Sequence, residues 1–115
     1  MKRILAVAAA GLLAGCSRTP VAHAVWDCTS VAPGSTSVTT AVIEGRADPA
    51  PHRVAVPLNG TVRLQIDSDK VLQVHIHGYD MEYDAPGCVT FTADLAGLFD
   101  VEAHPDTLLL QLEVR

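Results

Sequence analysis

The stretch Val71–Tyr79, Val-Leu-Gln-Val-His-Ile-His-Gly-Tyr, decides the fold. Apolar and polar residues alternate along it, which predicts a half-buried β-strand. One face of this strand is apolar and carries Leu72, Val74 and Ile76. The other face is polar and carries Gln73, His75 and His77. Two histidines that are two residues apart on one strand face have side chains about 7 Å apart, close enough to share a metal ion.

The same alternation recurs along the chain between clear turn signals. The other predicted strands are Thr36–Glu44, Arg53–Pro57, Thr61–Asp67, Cys88–Ala93, Leu98–His104 and Leu108–Arg115. The Asn59-Gly60 pair predicts a hairpin turn, whereas the prolines within 46–52 predict a loop. No sustained helical period follows the first 15 residues. About seven or eight short strands in this order indicate an all-β, antiparallel Greek-key β-sandwich.

The N-terminus has the features of a secretory signal peptide. Met1-Lys2-Arg3 precedes an apolar run that is shorter than the about 20 residues of a membrane-spanning helix. The run ends in Leu13-Ala14-Gly15-Cys16, which resembles the lipobox of bacterial lipoproteins. That resemblance implies cleavage before Cys16, lipidation of Cys16 and a place in the cell envelope, periplasmic or at the cell surface. An ordinary signal peptide or a retained anchor helix is the alternative.

We therefore expect three parts. Residues 1–15 form a signal peptide, residues 16–35 a lipidated cysteine with a tether and an N-terminal arm, and residues 36–115 one β-sandwich domain. The net charge of −5 and the absence of a basic patch argue against nucleic-acid binding, because phosphate contacts need clustered lysine and arginine. The expected partners are the membrane, through the lipid, and an unidentified envelope protein.

Two cysteines remain beyond Cys16. An even pair in an oxidising compartment favours a disulfide between Cys28 and Cys88. Two buried free thiols, or a thiolate metal ligand at Cys88, are the alternatives.

The polar faces of two strands carry the candidate site residues. A surface site for Cu(II) or Zn(II) would use His77 and His104, assisted by His75 and Glu102. Alternatively, these histidines are only exposed or hydrogen-bonded, and His75 pairs with Glu102 across neighbouring strands. The acidic residues Asp80, Glu82 and Asp84 suggest calcium ligands or, more simply, a charged edge strand.

The order of motifs in residues 36–115 resembles the cupredoxin family. The residues that carry this resemblance are His77-Gly78-Tyr79, Val89-Thr90-Phe91-Thr92-Ala93 and Gly97-Leu98-Phe99 with the terminal strand. In copper-binding members the first histidine ligand corresponds to His77. The other ligands come from a loop near the C-terminus that supplies a cysteine, a histidine and often a methionine.

The chain departs from that pattern, because the cysteine position falls on Ala103, next to His104. A blue-copper site needs a thiolate, so the resemblance implies the fold and not the electron-transfer centre. No catalytic motif is present, and we expect no enzymatic activity. Two functions follow as hypotheses. One is a membrane-anchored module that binds copper or another transition metal; the other is a structural or protein-interaction lipoprotein on the same scaffold.

Overall fold

The computed structural model describes Cys28 and residues 33–115. The predicted signal peptide, the lipidation of Cys16 and most of the predicted N-terminal arm lie outside these residues. In the described part of the chain, no helix is long and apolar enough to cross a membrane.

In the described residues, nine β-strands form two packed sheets. The strands are β1 Thr36–Ile43, β2 Arg46–Asp48, β3 His52–Val56, β4 Thr61–Ser68, β5 Leu72–Ile76, β6 Met81–Ala85, β7 Gly87–Thr92, β8 Gly97–Ala103 and β9 Thr107–Val114. One sheet has the order β2-β1-β4-β7 and the other the order β3-β9-β8-β5-β6. The chain is therefore an all-β sandwich, as the alternating pattern predicts.

The sheets are mixed rather than wholly antiparallel. Strands β1 and β4 pair in parallel, as do β3 and β9, and the other pairs are antiparallel. Both parallel pairs join strands that are distant in sequence. Local alternation sets which face of a strand is buried, but it does not set the direction of a distant neighbour.

The predicted hairpin at Asn59-Gly60 is not formed, because β3 and β4 belong to different sheets. Asn59 has a φ of 65°, and its backbone amide donates to the Ala93 carbonyl oxygen at 2.7 Å, so this turn carries the chain between the sheets. A tight hairpin turn lies instead at Glu44-Gly45, between β1 and β2, where φ is 51° and 74°. It adds the short strand β2, predicted as a loop, which ends directly before Pro49.

The core lies between the sheets and is built from the apolar face of each long strand. It contains Val38, Val42, Val56, Val62, Leu64, Ile66, Val74, Ile76, Tyr83, Ala85, Val89, Phe91, Ala93, Val101, Ala103, Leu109, Leu110, Leu112 and Val114. A bulge between Val101 and Glu102 leaves Leu109 as an extra residue of β9, which is why two consecutive leucines are both buried.

A disulfide joins Cys28 to Cys88, with their Cα atoms 5.9 Å apart. Val89 points into the core, so Cys88 lies on the outer face of the four-stranded sheet. The Cys28 carbonyl oxygen also accepts a hydrogen bond from Arg63 Nε at 3.3 Å. These contacts support the predicted cysteine pair and attach Cys28 to that face.

The end of β5 is fixed by aromatic packing. The Tyr79 ring lies 5.1 Å from both Phe91 and Phe99, and its hydroxyl donates to the Leu95 carbonyl oxygen at 2.8 Å. Burial raises the pKa of the Tyr79 hydroxyl. Gly78 has a φ of 81°, and a Cβ at this position would overlap the Phe99 ring. Only glycine therefore fits between β5 and this cluster.

We expect Gly78→Ala to destabilise the protein by about 2–4 kcal/mol, because backbone strain and overpacking add. Gly45→Ala is the matched control, since Gly45 has a φ of 74° and a methyl group added there would meet nothing within 4 Å. It should cost only about 1 kcal/mol, from the left-handed backbone alone. Urea unfolding of both variants measures the difference, and equal losses would show that contact with Phe99 is unimportant.

Candidate metal centre

The polar face of β5 lies on the outside of the five-stranded sheet. Val74 and Ile76 point into the core, whereas His75 lies on the outer face between two carboxylates. The β5–β6 register places His75 opposite Glu82, and the β5–β8 register places it opposite Glu102. Directly opposed residues have side chains within about 5.5 Å of each other. A histidine is therefore flanked by glutamates on both neighbouring strands.

His104 approaches the same histidine from the end of β8. Its backbone amide donates to the Gln73 carbonyl oxygen at 2.8 Å, which extends the β5–β8 ladder by one position. This bond places His104 diagonally across from His75. The two imidazole rings are nearly parallel, 13° apart in plane, with centroids 6.3 Å apart.

Three of these side chains come together as a potential metal site. His75, Glu82 and His104 each offer one ligand atom, and these atoms all lie within 4.8 Å of one another. Ligands around one transition metal at about 2.0–2.2 Å are roughly 3–3.5 Å apart. Glu82 and His104 are exposed. Glu82 Oε2 accepts a hydrogen bond from Gln73 Nε2 at 3.2 Å, and this contact is open to solvent, so small side-chain movements would close the remaining gap.

His75 carries a buried nitrogen without a hydrogen bond. Its Nε2 atom is shielded from solvent and has no hydrogen-bonding partner among the described residues. The Asp80 Oδ1 atom lies 3.6 Å away, and the Asp80 side chain is fully exposed. Buried polar atoms are rarely left unpaired in folded proteins, so this nitrogen is available to a ligand.

His77 and Glu102 form a separate pair beside this cluster. His77 Nε2 lies 3.2 Å from Glu102 Oε2, and the His77 ring centroid is 4.2 Å from that of His75. Both side chains are part-exposed, 44% for His77 and 36% for Glu102. His77 is thus next to the three-residue group but is held by a carboxylate.

The charge of this face favours a cation. Residues 71–114 contain eight aspartates and glutamates but no lysine or arginine, and Arg53 lies in β3 at the opposite edge of the same sheet. Five of the carboxylates lie in β6, in β8 or in the turn before β6, and they are Asp80, Glu82, Asp84, Asp100 and Glu102. Clustered carboxylates raise the local concentration of cations, so the histidines lie in a negative field that attracts metal ions.

The residues do not fit a blue-copper centre. Ala103 is buried on the inner face opposite Val74, whereas His77 follows the last residue of β5, on the outer face beside Asp100. A side chain at position 103 and His77 therefore point to opposite sides of the sheet. In the described residues both cysteines are consumed by the disulfide, which lies on the other sheet.

The structure thus brings together some of the predicted ligands and adds one. His75 and His104 share a cluster, and His77 pairs with Glu102. Sequence reasoning does not connect Glu82 with the histidines, because it assigns Glu82 to an acidic run that suggests calcium ligands or a charged edge strand. Its alternation with Met81 and Tyr83 indicates a strand, and a hairpin turning at Gly78 places it beside His75.

Comparison with known proteins defines the fold. No family model matches the chain, and no curated protein matches it significantly. Among solved structures, a chain of a heme-copper terminal oxidase dimer is similar over 76% of each chain, with 18% identity and a TM-score of 0.57. A copper binding protein in the apo form is similar over 75% of this chain and 93% of its own, with 15% identity and a TM-score of 0.59.

Amicyanin has the same general fold. An oxidised amicyanin variant covers 81% of this chain and 99% of its own, with 18% identity and a TM-score of 0.51. These neighbours are cupredoxins, and the predicted cupredoxin-like β-sandwich is confirmed. At such low identities the likeness establishes the fold alone, so the chemistry has to be argued from the residues of this chain.

We expect Ala103→Cys to add no blue-copper centre. The new thiol would be buried opposite Val74, on the face away from His75 and His77. Visible absorption of the Cu(II)-loaded variant should therefore lack the intense thiolate-to-copper band, and the wild type is the control. Appearance of that band would show that a histidine reaches the inner face.

Proposed function

We propose that this chain is a non-enzymatic metal-binding module of the cell envelope, which holds a divalent transition metal on the outer face of the five-stranded sheet. One observation carries the proposal: ligand atoms of His75, Glu82 and His104 lie within 4.8 Å of one another. Two further observations support it: His75 Nε2 has no hydrogen-bonding partner among the described residues, and this face carries a surplus of carboxylates.

Copper(II) is the metal that this ligand set suits best. Imidazole nitrogen with carboxylate oxygen is a ligand combination for Cu(II) and Zn(II), and Cu(II) binds most tightly of the divalent first-row metals. Cu(I) prefers sulfur ligands, and the cluster contains none. The fold neighbours include a copper binding protein, which agrees with this choice.

The proposed location rests on the sequence and the disulfide. The lipobox-like Leu13–Cys16 motif implies a lipid anchor at Cys16. A disulfide such as Cys28–Cys88 is typical of oxidising compartments outside the cytoplasm. We therefore infer an extracytoplasmic, membrane-anchored protein whose β-sandwich is exposed to the periplasm or the cell surface.

A binding role suits an open site better than catalysis does. Glu82 and His104 are exposed on a sheet face, where a bound substrate would have little enclosure. A structural or protein-interaction role is the second candidate. Ala103 is buried at the position that resembles the copper-ligating cysteine. This favours the structural role, because the fold is then retained without the copper centre of the family that it resembles.

Isothermal titration of Cu(II) into the full-length chain tests the proposal. A Cys16→Ser/His23→Ala background removes donors that lie outside the described residues. We expect submicromolar one-to-one binding that is lost in His75→Ala/His104→Ala, because two of the three ligands are gone. His52→Ala is the matched control, since His52 lies in β3, at the opposite edge of the same sheet.

Circular dichroism of each variant ensures that the fold is retained. Weak binding, or binding equal in all three proteins, would contradict the metal site and favour the structural role. Equal losses in His52→Ala and in the double variant would show that copper binds to surface histidines without a defined centre.

A further inference from the structure

We propose that Glu102 holds His77 in reserve, and that a metal ion bound by His75, Glu82 and His104 takes His77 as its fourth ligand. This inference rests on the proposed function, because it concerns the same site. Metal binding would then break the His77–Glu102 pair and leave Glu102 as a free carboxylate beside the ion.

The three converging side chains supply one ligand fewer than a four-coordinate ion needs. Two imidazoles and one carboxylate leave a four-coordinate ion one ligand short, and zinc or copper(II) then binds water or a further protein group. Imidazole nitrogen is a better ligand than water for both metals. A nearby histidine that can reach the ion is therefore expected to replace the water.

His77 lies close enough to His75 to reach the same ion. The His77 ring centroid lies 4.2 Å from that of His75, on the same outer face of the sheet. The side chains of histidines two residues apart on one strand start about 7 Å apart. Each side chain is about half that length, so the two can meet at one ion. His77 therefore needs only a side-chain rotation to reach a metal bound at His75.

The contact between His77 and Glu102, which would compete with metal binding, is weak. His77 Nε2 and Glu102 Oε2 are 3.2 Å apart, but both side chains are more than one-third exposed. Pairs of this kind in contact with water contribute little to stability. A metal–nitrogen bond easily outweighs such a contact, so the His77–Glu102 pair would open when the ion binds.

Glu102 is the other group that could complete the site. The described donors that converge within 4.8 Å include neither Glu102 nor His77, so either side chain has to rotate to reach the ion, and imidazole is the better ligand for these metals. The Glu102 oxygen is instead directed at His77. The structure therefore favours Glu102 as the group that positions His77, rather than as a ligand.

The two roles of Glu102 predict opposite results for Glu102→Gln. If Glu102 only restrains His77, its removal frees the fourth ligand. Copper then binds more tightly to Glu102→Gln than to a control variant that has lost one carboxylate elsewhere on the same face. If Glu102 is a ligand, its removal weakens binding. Asp84→Asn is the matched control, because Asp84 is an exposed carboxylate of β6 on the same face and opposes Gln73.

The test combines affinity with a count of bound imidazoles in the Cys16→Ser/His23→Ala background. We expect His77→Ala to bind Cu(II) about tenfold more weakly. Glu102→Gln should bind severalfold more tightly than Asp84→Asn. In a His77→Ala background this difference should vanish, because no reserve ligand is left to release.

Pulsed electron paramagnetic resonance of the Cu(II) complex counts the coordinated imidazoles. We expect three in the wild type, in Glu102→Gln and in Asp84→Asn, and two in His77→Ala. Two imidazoles in the wild type, or weaker binding by Glu102→Gln than by Asp84→Asn, would overturn the fourth-ligand proposal alone. Copper binding that survives His75→Ala/His104→Ala would overturn the site itself.

Discussion

The pairing of β5 with strands on both sides is the constraint on which the site depends. Antiparallel registers with β6 and β8 fix Val74 and Ile76 in the core, and the same registers place His75 between Glu82 and Glu102. A slip of one residue would bury the histidines and expose the apolar side chains, at a cost of several buried residues. The hydrophobic core therefore holds the polar cluster in place, because both depend on the same strand registers.

The alternating sequence is sufficient to predict most strands and their buried faces. Val62, Leu64 and Ile66 of β4 are buried, as are Leu110, Leu112 and Val114 of β9. The alternating pattern predicts this, because period-two burial is a local property. The parallel pairing of β1 with β4 and of β3 with β9 is not predictable in this way. Direction and partner depend on contacts between distant segments, and the Asn59-Gly60 turn, which looks like a hairpin, connects two different sheets.

The candidate site can be predicted only in part. Alternation places His75 and His104 on the polar faces of their strands, and those faces prove to be neighbours. Glu82 requires the register of β6, which follows from where the chain turns around Gly78 rather than from residue type. His77 stands out by resemblance to a copper ligand. The structure pairs it with Glu102 and separates it from Ala103, so its proposed role as a ligand depends on a side-chain rotation that a sequence does not encode.

The disulfide also has a consequence for orientation. Cys88 lies on the outer face of one sheet and the histidines on the outer face of the other, so Cys28 is attached on the side opposite the histidine cluster. In a protein anchored at Cys16, as we propose, the 12 peptide links to Cys28 reach at most about 40 Å. The proposed lipid link would therefore join the sandwich on the face opposite the candidate ligands. Attachment on that face would leave the histidine face uncovered by the link, so dissolved metal ions and other macromolecules would have access to it.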